Sequence, residues 1–207
     1  MSLYHLHAVF SSLQGEGRNV GRPVTFIRFA TCNLKCAWCD THQTEKMALA
    51  LPDLLRHVEK HENRSVVITG GEPTIQPGLT ALVQALKKEG YWTALETNGV
   101  KAPDDPDVFD YIAVSPKSEY AARYLDAVML RRADEMRIVA VSDELAPFCR
   151  TMRNRIAATD YYISPLEKDG KIHYRRALNL LTRVNKLTGN ERPWALSIQM
   201  HKVLGIR

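Results

Sequence analysis

Ser65-Val66-Val67-Ile68-Thr69 passes directly into Gly70-Gly71-Glu72-Pro73. A short β-branched run bounded by glycines and a proline reads as a buried strand that ends in a turn. Behind it Leu79, Leu82, Val83 and Leu86 recur at helical spacing, and that helix should stop near Gly90. Tyr91-Trp92-Thr93-Ala94-Leu95 is then a second strand, emptying into Glu96-Thr97-Asn98-Gly99. Strand, helix, strand in this order implies parallel pairing through a right-handed crossover. The chain is therefore read as α/β from its centre outward.

Toward the amino end, Pro23-Val24-Thr25-Phe26-Ile27-Arg28-Phe29-Ala30 is β-branched and aromatic and reads as a strand. Before it, Phe10-Ser11-Ser12-Leu13-Gln14-Gly15-Glu16-Gly17 is glycine-punctuated and reads as a loop whose backbone can approach a ligand. Leu51, Leu54, Leu55 and Val58 mark a helix behind Pro52. Toward the carboxyl end, strands are expected at Tyr111–Val114, Glu135–Val141, Tyr161–Ile163 and Trp194–Ile198. Helices are expected near 119–130, 143–157 and 174–187. Polar, Gly- or Pro-marked segments follow nearly every strand: Ser115-Pro116-Lys117, Ser142-Asp143, Ser164-Pro165 and Gln199-Met200-His201-Lys202. About six to seven mostly parallel strands in 207 residues suggest an incomplete (β/α) barrel in a single domain spanning 1–207, with its active site at the strands' carboxyl ends.

The formal charge of +5 is a mild basic excess. It can assist anion binding or maintain solubility, and it does not imply direct contact with nucleic acid. Arg150, Arg153, Arg155, Arg175, Arg176, Arg183 and Lys186 fall on helical periodicity and read as solvated faces. No apolar run approaches the roughly 20 residues needed to span a bilayer, so no membrane partner is expected. The start, Met1-Ser2-Leu3-Tyr4-His5-Leu6-His7, lacks a signal-peptide pattern, and a cytoplasmic location is expected.

The strand at 23–30 delivers the chain into Cys32-Asn33-Leu34-Lys35-Cys36-Ala37-Trp38-Cys39, which holds three of the four cysteines. Three closely spaced thiolates can hold a soft metal centre and leave one coordination position for a non-protein ligand. The fourth cysteine, Cys149, lies in a helix-like segment far along the chain. A structural zinc site built from Cys32, Cys36, Cys39 and His42 is the rival on spacing alone. Against it, structural zinc usually staples a module that lacks a core, and this chain has ample apolar sequence.

The cysteine loop resembles that of the radical S-adenosylmethionine superfamily. The resemblance implies a [4Fe–4S] cluster on Cys32, Cys36 and Cys39. Its fourth iron takes the amino and carboxylate groups of S-adenosylmethionine, whose cleavage yields a 5′-deoxyadenosyl radical. Gly70-Gly71-Glu72-Pro73 resembles the superfamily's glycine-rich turn, which meets the methionyl amino group. Gln14-Gly15-Glu16-Gly17, Arg28, Cys39-Asp40-Thr41 and Gln199-Met200-His201-Lys202 are together similar to the 7-carboxy-7-deazaguanine synthase family, from about residue 8 onward. That resemblance implies conversion of 6-carboxy-5,6,7,8-tetrahydropterin to 7-carboxy-7-deazaguanine with loss of ammonia, with S-adenosylmethionine used catalytically and Mg²⁺ present.

Carried over residue by residue, the resemblance gives Leu13, Gln14, Gly15 and Glu16 to the pterin ring, Arg28 to the substrate carboxylate, and Thr69 and His201 to the substrate. Thr41 is expected to ligate Mg²⁺. Trp38, Cys39, Asp40, Gly71, Glu96, Asn98, Ser115, Pro116, Lys117 and Ser164 are expected around the cofactor. Members of the family often end in Leu-Pro, whose carboxylate reaches substrate; here the sequence reads Gly205-Ile206-Arg207, and Arg207 would offer that group. Without the resemblance, Arg28 reads as an exposed strand charge and His201 as a structural histidine. The implied partners are an electron donor such as flavodoxin or ferredoxin and a second copy in a homodimer. A radical activase acting on a partner protein is the alternative function, sharing the cysteine loop and the glycine turn.

Overall fold

The computed structural model describes residues 3–39, 44–188 and 192–206. The chain folds as two compact units. The first is Met1–Gln14, Gly21–Thr97 and Lys101–Ile112; the second is Gly15–Val20, Asn98–Val100 and Ala113–Arg207.

In the first unit, β1 (Tyr4–Leu13), β2 (Pro23–Phe29), β3 (Met47–Leu49), β4 (Ser65–Gly70) and β5 (Trp92–Thr97) are ordered β3-β1-β2-β4-β5. β2, β4 and β5 run parallel, whereas β1 is antiparallel to both β2 and β3. Two helices cover the apolar strands: α1 (Leu51–Glu59) buries Leu54 and Val58, and α2 (Leu79–Lys88) buries Leu79, Leu82, Val83 and Leu86. Val66, Val67 and Ile68 are all buried, as a strand covered on both faces requires. β1 instead buries Tyr4, Leu6, Ala8 and Phe10 on one face only.

β1 corrects the expected loop at 10–17. Phe10 to Leu13 are paired with β2, in the register Phe10↔Phe26 to Leu13↔Pro23, and the Phe10 and Phe26 rings stack with centroids 5.1 Å apart. Cross-strand packing outweighs the polar Ser11-Ser12 step, so only the residues from Gln14 onward leave the strand.

The second unit holds Ala113 and Val114 of β6 (Tyr111–Val114), then β7 (Arg132–Ala140), α3 (Ala146–Arg155), β8 (Ala157–Pro165), the small hairpin β9 (Glu167–Lys168) and β10 (Lys171–Ile172), α4 (Tyr174–Thr188), β11 (Ala195–Leu196) and α5 (Met200–Leu204). The order β6-β7-β8-β11 is parallel throughout.

Two expectations change here. No α-helix forms over 119–130; Ser118–Leu125 is a 3₁₀ segment broken at Tyr120. Its Tyr124 hydroxyl is engaged by backbone groups on either side, and Leu125 and Val128 stay exposed. The last strand shrinks to Ala195–Leu196, because the Asn185 side-chain amide takes both backbone groups of Trp194, at 2.8 and 3.0 Å. No helix among the described residues is long and apolar enough to cross a membrane.

Candidate active site

In the first unit, β2 carries the chain into the cysteine loop. Leu34 is buried and anchors the loop, leaving Cys32 and Cys36 half-buried and Cys39 exposed. Leu34 N–H lies 3.4 Å from Cys32 Sγ, and Cys39 N–H donates to the Cys36 carbonyl at 3.2 Å. Burial pushes the Cys32 thiol up, and the carboxylate of Glu72 and the thiol of Cys39 act the same way, while the Leu34 and Asn33 amides oppose them. A bound metal centre would reverse that balance by favouring the thiolate.

The glycine turn is zipped to the entrance of this loop. Gly71 N–H donates to the Phe29 carbonyl at 2.9 Å and Glu72 N–H to the Thr31 carbonyl at 2.8 Å. Gly70 has φ +117°, and a Cβ there would lie 2.2 Å from the Phe29 nitrogen. A Cβ on Gly71 would come 2.1 Å from the Thr31 carbonyl oxygen. Both positions thus exclude any other residue on steric grounds. The Glu72 side chain is wholly buried, and its Oε1 accepts from Thr74 N–H at 3.0 Å, Thr74 Oγ1 at 2.8 Å and Thr97 Oγ1 at 2.7 Å. Through this oxygen the carboxylate fastens the turn to three of the protein's own donors.

Also within this unit, Glu96 accepts from Gln14 Nε2 at 3.0 Å and from Thr69 Oγ1 at 2.8 Å. Gln14, Thr69 and Glu96 therefore meet at one carboxylate, although the resemblance places Glu96 with the cofactor. Leu13 closes β1 opposite Pro23. Arg28 sits opposite Thr69 in the β2–β4 register and is half-buried, with its guanidinium 5.5 Å from the Phe10 ring centroid. An exposed strand charge does not describe it.

In the second unit, Gly15 and His201 are in contact. A Cβ on Gly15 would lie 2.0 Å from His201 Nδ1, and the Gly15 carbonyl accepts from Met200 N–H at 2.9 Å. Glu16 Oε2 accepts from Arg137 NH1 at 2.8 Å. Asn98 and Ser115-Pro116-Lys117 are joined through Tyr124, whose hydroxyl donates to the Asn98 carbonyl at 2.8 Å and accepts from Lys117 N–H at 2.9 Å. Lys117 Nζ lies 2.8 Å from Ser115 Oγ, and Asn98 Oδ1 accepts from Val100 N–H at 2.9 Å. Ser164, near the end of β8, is 2% exposed, and its hydroxyl has no hydrogen-bond partner among the described residues. Cys149 is fully buried in α3, where burial pushes its thiol up to about 12. It is a neutral core residue, unsuited to ligation.

Asp40, Thr41 and Arg207 lie outside the described residues, as does His42 of the rival zinc set. Sequence reasoning misses Thr97, Tyr124, Glu135 and Arg137. For the last two a signal exists: charges two residues apart in an apolar strand share one face and need buried partners.

The donor set fits an iron–sulfur cluster: three accessible soft thiols in one loop, one already receiving an amide, beside a turn stripped of side chains. Residues 26–121 match the Radical SAM superfamily. The fold and the loop define a radical S-adenosylmethionine enzyme of the α/β class with mostly parallel strands. A 7-carboxy-7-deazaguanine synthase from Neisseria meningitidis is 44% identical over 203 residues, covering 98% of this chain and 94% of that protein. Another from Haemophilus influenzae is 42% identical with the same coverage. The crystal structure of QueE from Escherichia coli aligns with a TM-score of 0.71 at 26% identity, covering 96% of this chain and 95% of that one. The chain belongs to the 7-carboxy-7-deazaguanine synthase family. The family's cofactors are a [4Fe–4S] cluster and S-adenosylmethionine, with Mg²⁺.

Proposed function

We propose that the chain converts 6-carboxy-5,6,7,8-tetrahydropterin into 7-carboxy-7-deazaguanine and ammonia, a redox-neutral ring contraction in 7-deazapurine biosynthesis. The observation that carries this reading is the match over 98% of the chain to relatives named for that product. The activase alternative shares the cysteine loop and glycine turn, but not the near-full-length relationship.

Cys32, Cys36 and Cys39 hold the cluster, and the Gly71 backbone receives the methionyl end of S-adenosylmethionine. Trp38, Asp40, Asn98, Ser115, Pro116, Lys117 and Ser164 surround the rest of that cofactor. When bound, the cluster and S-adenosylmethionine together supply a carbon-centred hydrogen abstractor. The chain's own task is to present one C–H bond and hold the ring while it rearranges.

Gln14, Thr69 and Glu96 carry donors and acceptors suited to an aminopyrimidinone edge, and their mutual hydrogen bonds preorganise them. On this reading Glu96 serves the substrate edge rather than the cofactor. Arg28 takes the substrate carboxylate in a fork, with Leu13, Gly15, Glu16 and His201 completing the set. Thr41 offers an oxygen to Mg²⁺. A flavodoxin or ferredoxin supplies electrons, two chains form a homodimer, and the reducing cytoplasm suits the oxygen-sensitive cluster.

The test is anaerobic reconstitution followed by incubation with the carboxypterin. Product with S-adenosylmethionine regenerated supports the reading. Stoichiometric consumption of the cofactor without a deazaguanine would overturn it in favour of the activase.

A further inference from the structure

The second unit buries a charge group that none of the motifs accounts for. Alternation along β7 puts Glu135 and Arg137 on one face, and they are only 2% and 5% exposed. Arg137 reaches Glu16 Oε2 through NH1 at 2.8 Å, and its Nε lies 2.8 Å from Glu135 Oε1. The other Glu135 oxygen accepts from Arg18 N–H at 2.8 Å. Gly17 has φ +66° and sits flush on this carboxylate, since a Cβ there would lie 2.2 and 2.3 Å from its two oxygens.

Apart from the Arg137–Glu135 pair itself, these contacts end on the segment Gly15–Val20. Its far side is held too, with Gly17 N–H 3.0 Å from Ser197 Oγ and Arg18 NH1 3.4 Å from Asp160. Its first residue is Gly15, which packs on His201. Burying two carboxylates around one guanidinium carries a desolvation penalty, and a packed apolar cluster would give comparable stability. Burial pushes the Tyr162 phenol up, and Asp160 and Glu135 add to it while Arg18 and Arg137 oppose them. What the ionic arrangement adds over an apolar one is direction, because one planar guanidinium donates to Glu16 through NH1 and stands at ion-pair distance from Glu135.

We infer that Glu135 and Arg137 are positioning residues, which hold the Gly15–Val20 turn so that Gly15, Glu16 and His201 keep the geometry that receives the substrate. The inference rests on the substrate reading of those three residues. Neither Glu135 nor Arg137 touches substrate; both act through the turn.

The experiment uses the reconstituted holoenzyme of the wild type and of Arg137→Lys, Arg137→Met and Glu135→Gln. KM for the carboxypterin and for S-adenosylmethionine, iron per chain and thermal stability are measured together. A lysine keeps the charge but loses the fork. Both Arg137 variants should raise KM for the carboxypterin by about tenfold or more, methionine more than lysine. Glu135→Gln should raise it less, since an amide oxygen still serves Arg18 N–H. KM for the cofactor and iron content should stay within about twofold. Equal increases in both KM values, or a stability loss with unchanged KM, would overturn the inference in favour of a purely structural role. If Arg137→Met does not fold, the lysine and glutamine variants decide. A wild type that fails to convert the carboxypterin removes the substrate reading and the inference with it, whereas an active wild type with unaltered variants removes the inference alone.

Discussion

Gly71 and Thr31 approach so closely that a Cβ on the glycine would lie 2.1 Å from the threonine carbonyl oxygen and 2.8 Å from the Cys32 nitrogen. Both obstacles are backbone, and Thr31 is itself the acceptor for Glu72 N–H. The glycine turn and the mouth of the cysteine loop are therefore one packed unit.

Gly71→Ala should in consequence push the turn and the loop apart. Overpacking of this kind costs about 1–3 kcal/mol. Thermal unfolding should show the loss, and iron content after reconstitution should fall below that of the wild type. Full iron loading at unchanged stability would show that the loop can move aside at no cost.

Glu96 receives two donors, and its variants separate hydrogen bonding from charge. Glu96→Ala leaves Gln14 Nε2 and Thr69 Oγ1 without their acceptor and should raise KM for the carboxypterin by about tenfold or more. Glu96→Gln should recover most of it, because one amide oxygen can serve Gln14 while the Thr69 hydroxyl reverses and accepts. Kinetics as poor for glutamine as for alanine would mean that the negative charge itself meets the ligand.

Tyr124→Phe tests the hydroxyl that joins Asn98 to Lys117. The variant keeps the ring, which is fully buried, but leaves the Asn98 carbonyl and the Lys117 amide without this partner. A stability loss of about 1–3 kcal/mol is expected, with a raised KM for S-adenosylmethionine and an unaltered KM for the carboxypterin. A rise confined to the carboxypterin would move these loops from cofactor to substrate.

What the sequence discloses depends on how local the cause is. Ser65 to Thr69, the helix behind Leu79 and the cysteine loop follow from neighbours in the chain, and each is where the pattern puts it. The full length of β1 escapes such reading although Tyr4, Leu6, Ala8 and Phe10 alternate, because the glycines after Leu13 draw Phe10 to Leu13 into the loop. The false helix at 119–130 has the same origin in reverse. Its apolar residues recur at a helical period, but the Leu130 amide bonds to the Gly99 carbonyl rather than within a turn of its own. Arg137 finds Glu16 across 121 positions and Tyr124 finds Asn98 across 26, and no local pattern records either pairing.

Cys149 is sealed inside α3 with its thiol held protonated, while the other three sulfurs sit in one accessible loop. An alkylating reagent applied to the folded chain can therefore react only where the cluster would be. Adduct mass becomes a gauge of vacancy: three additions report an empty loop, and protection reports an assembled centre. The chain thus carries its own occupancy meter, and the enclosed fourth sulfur is what keeps the zero of that scale clean.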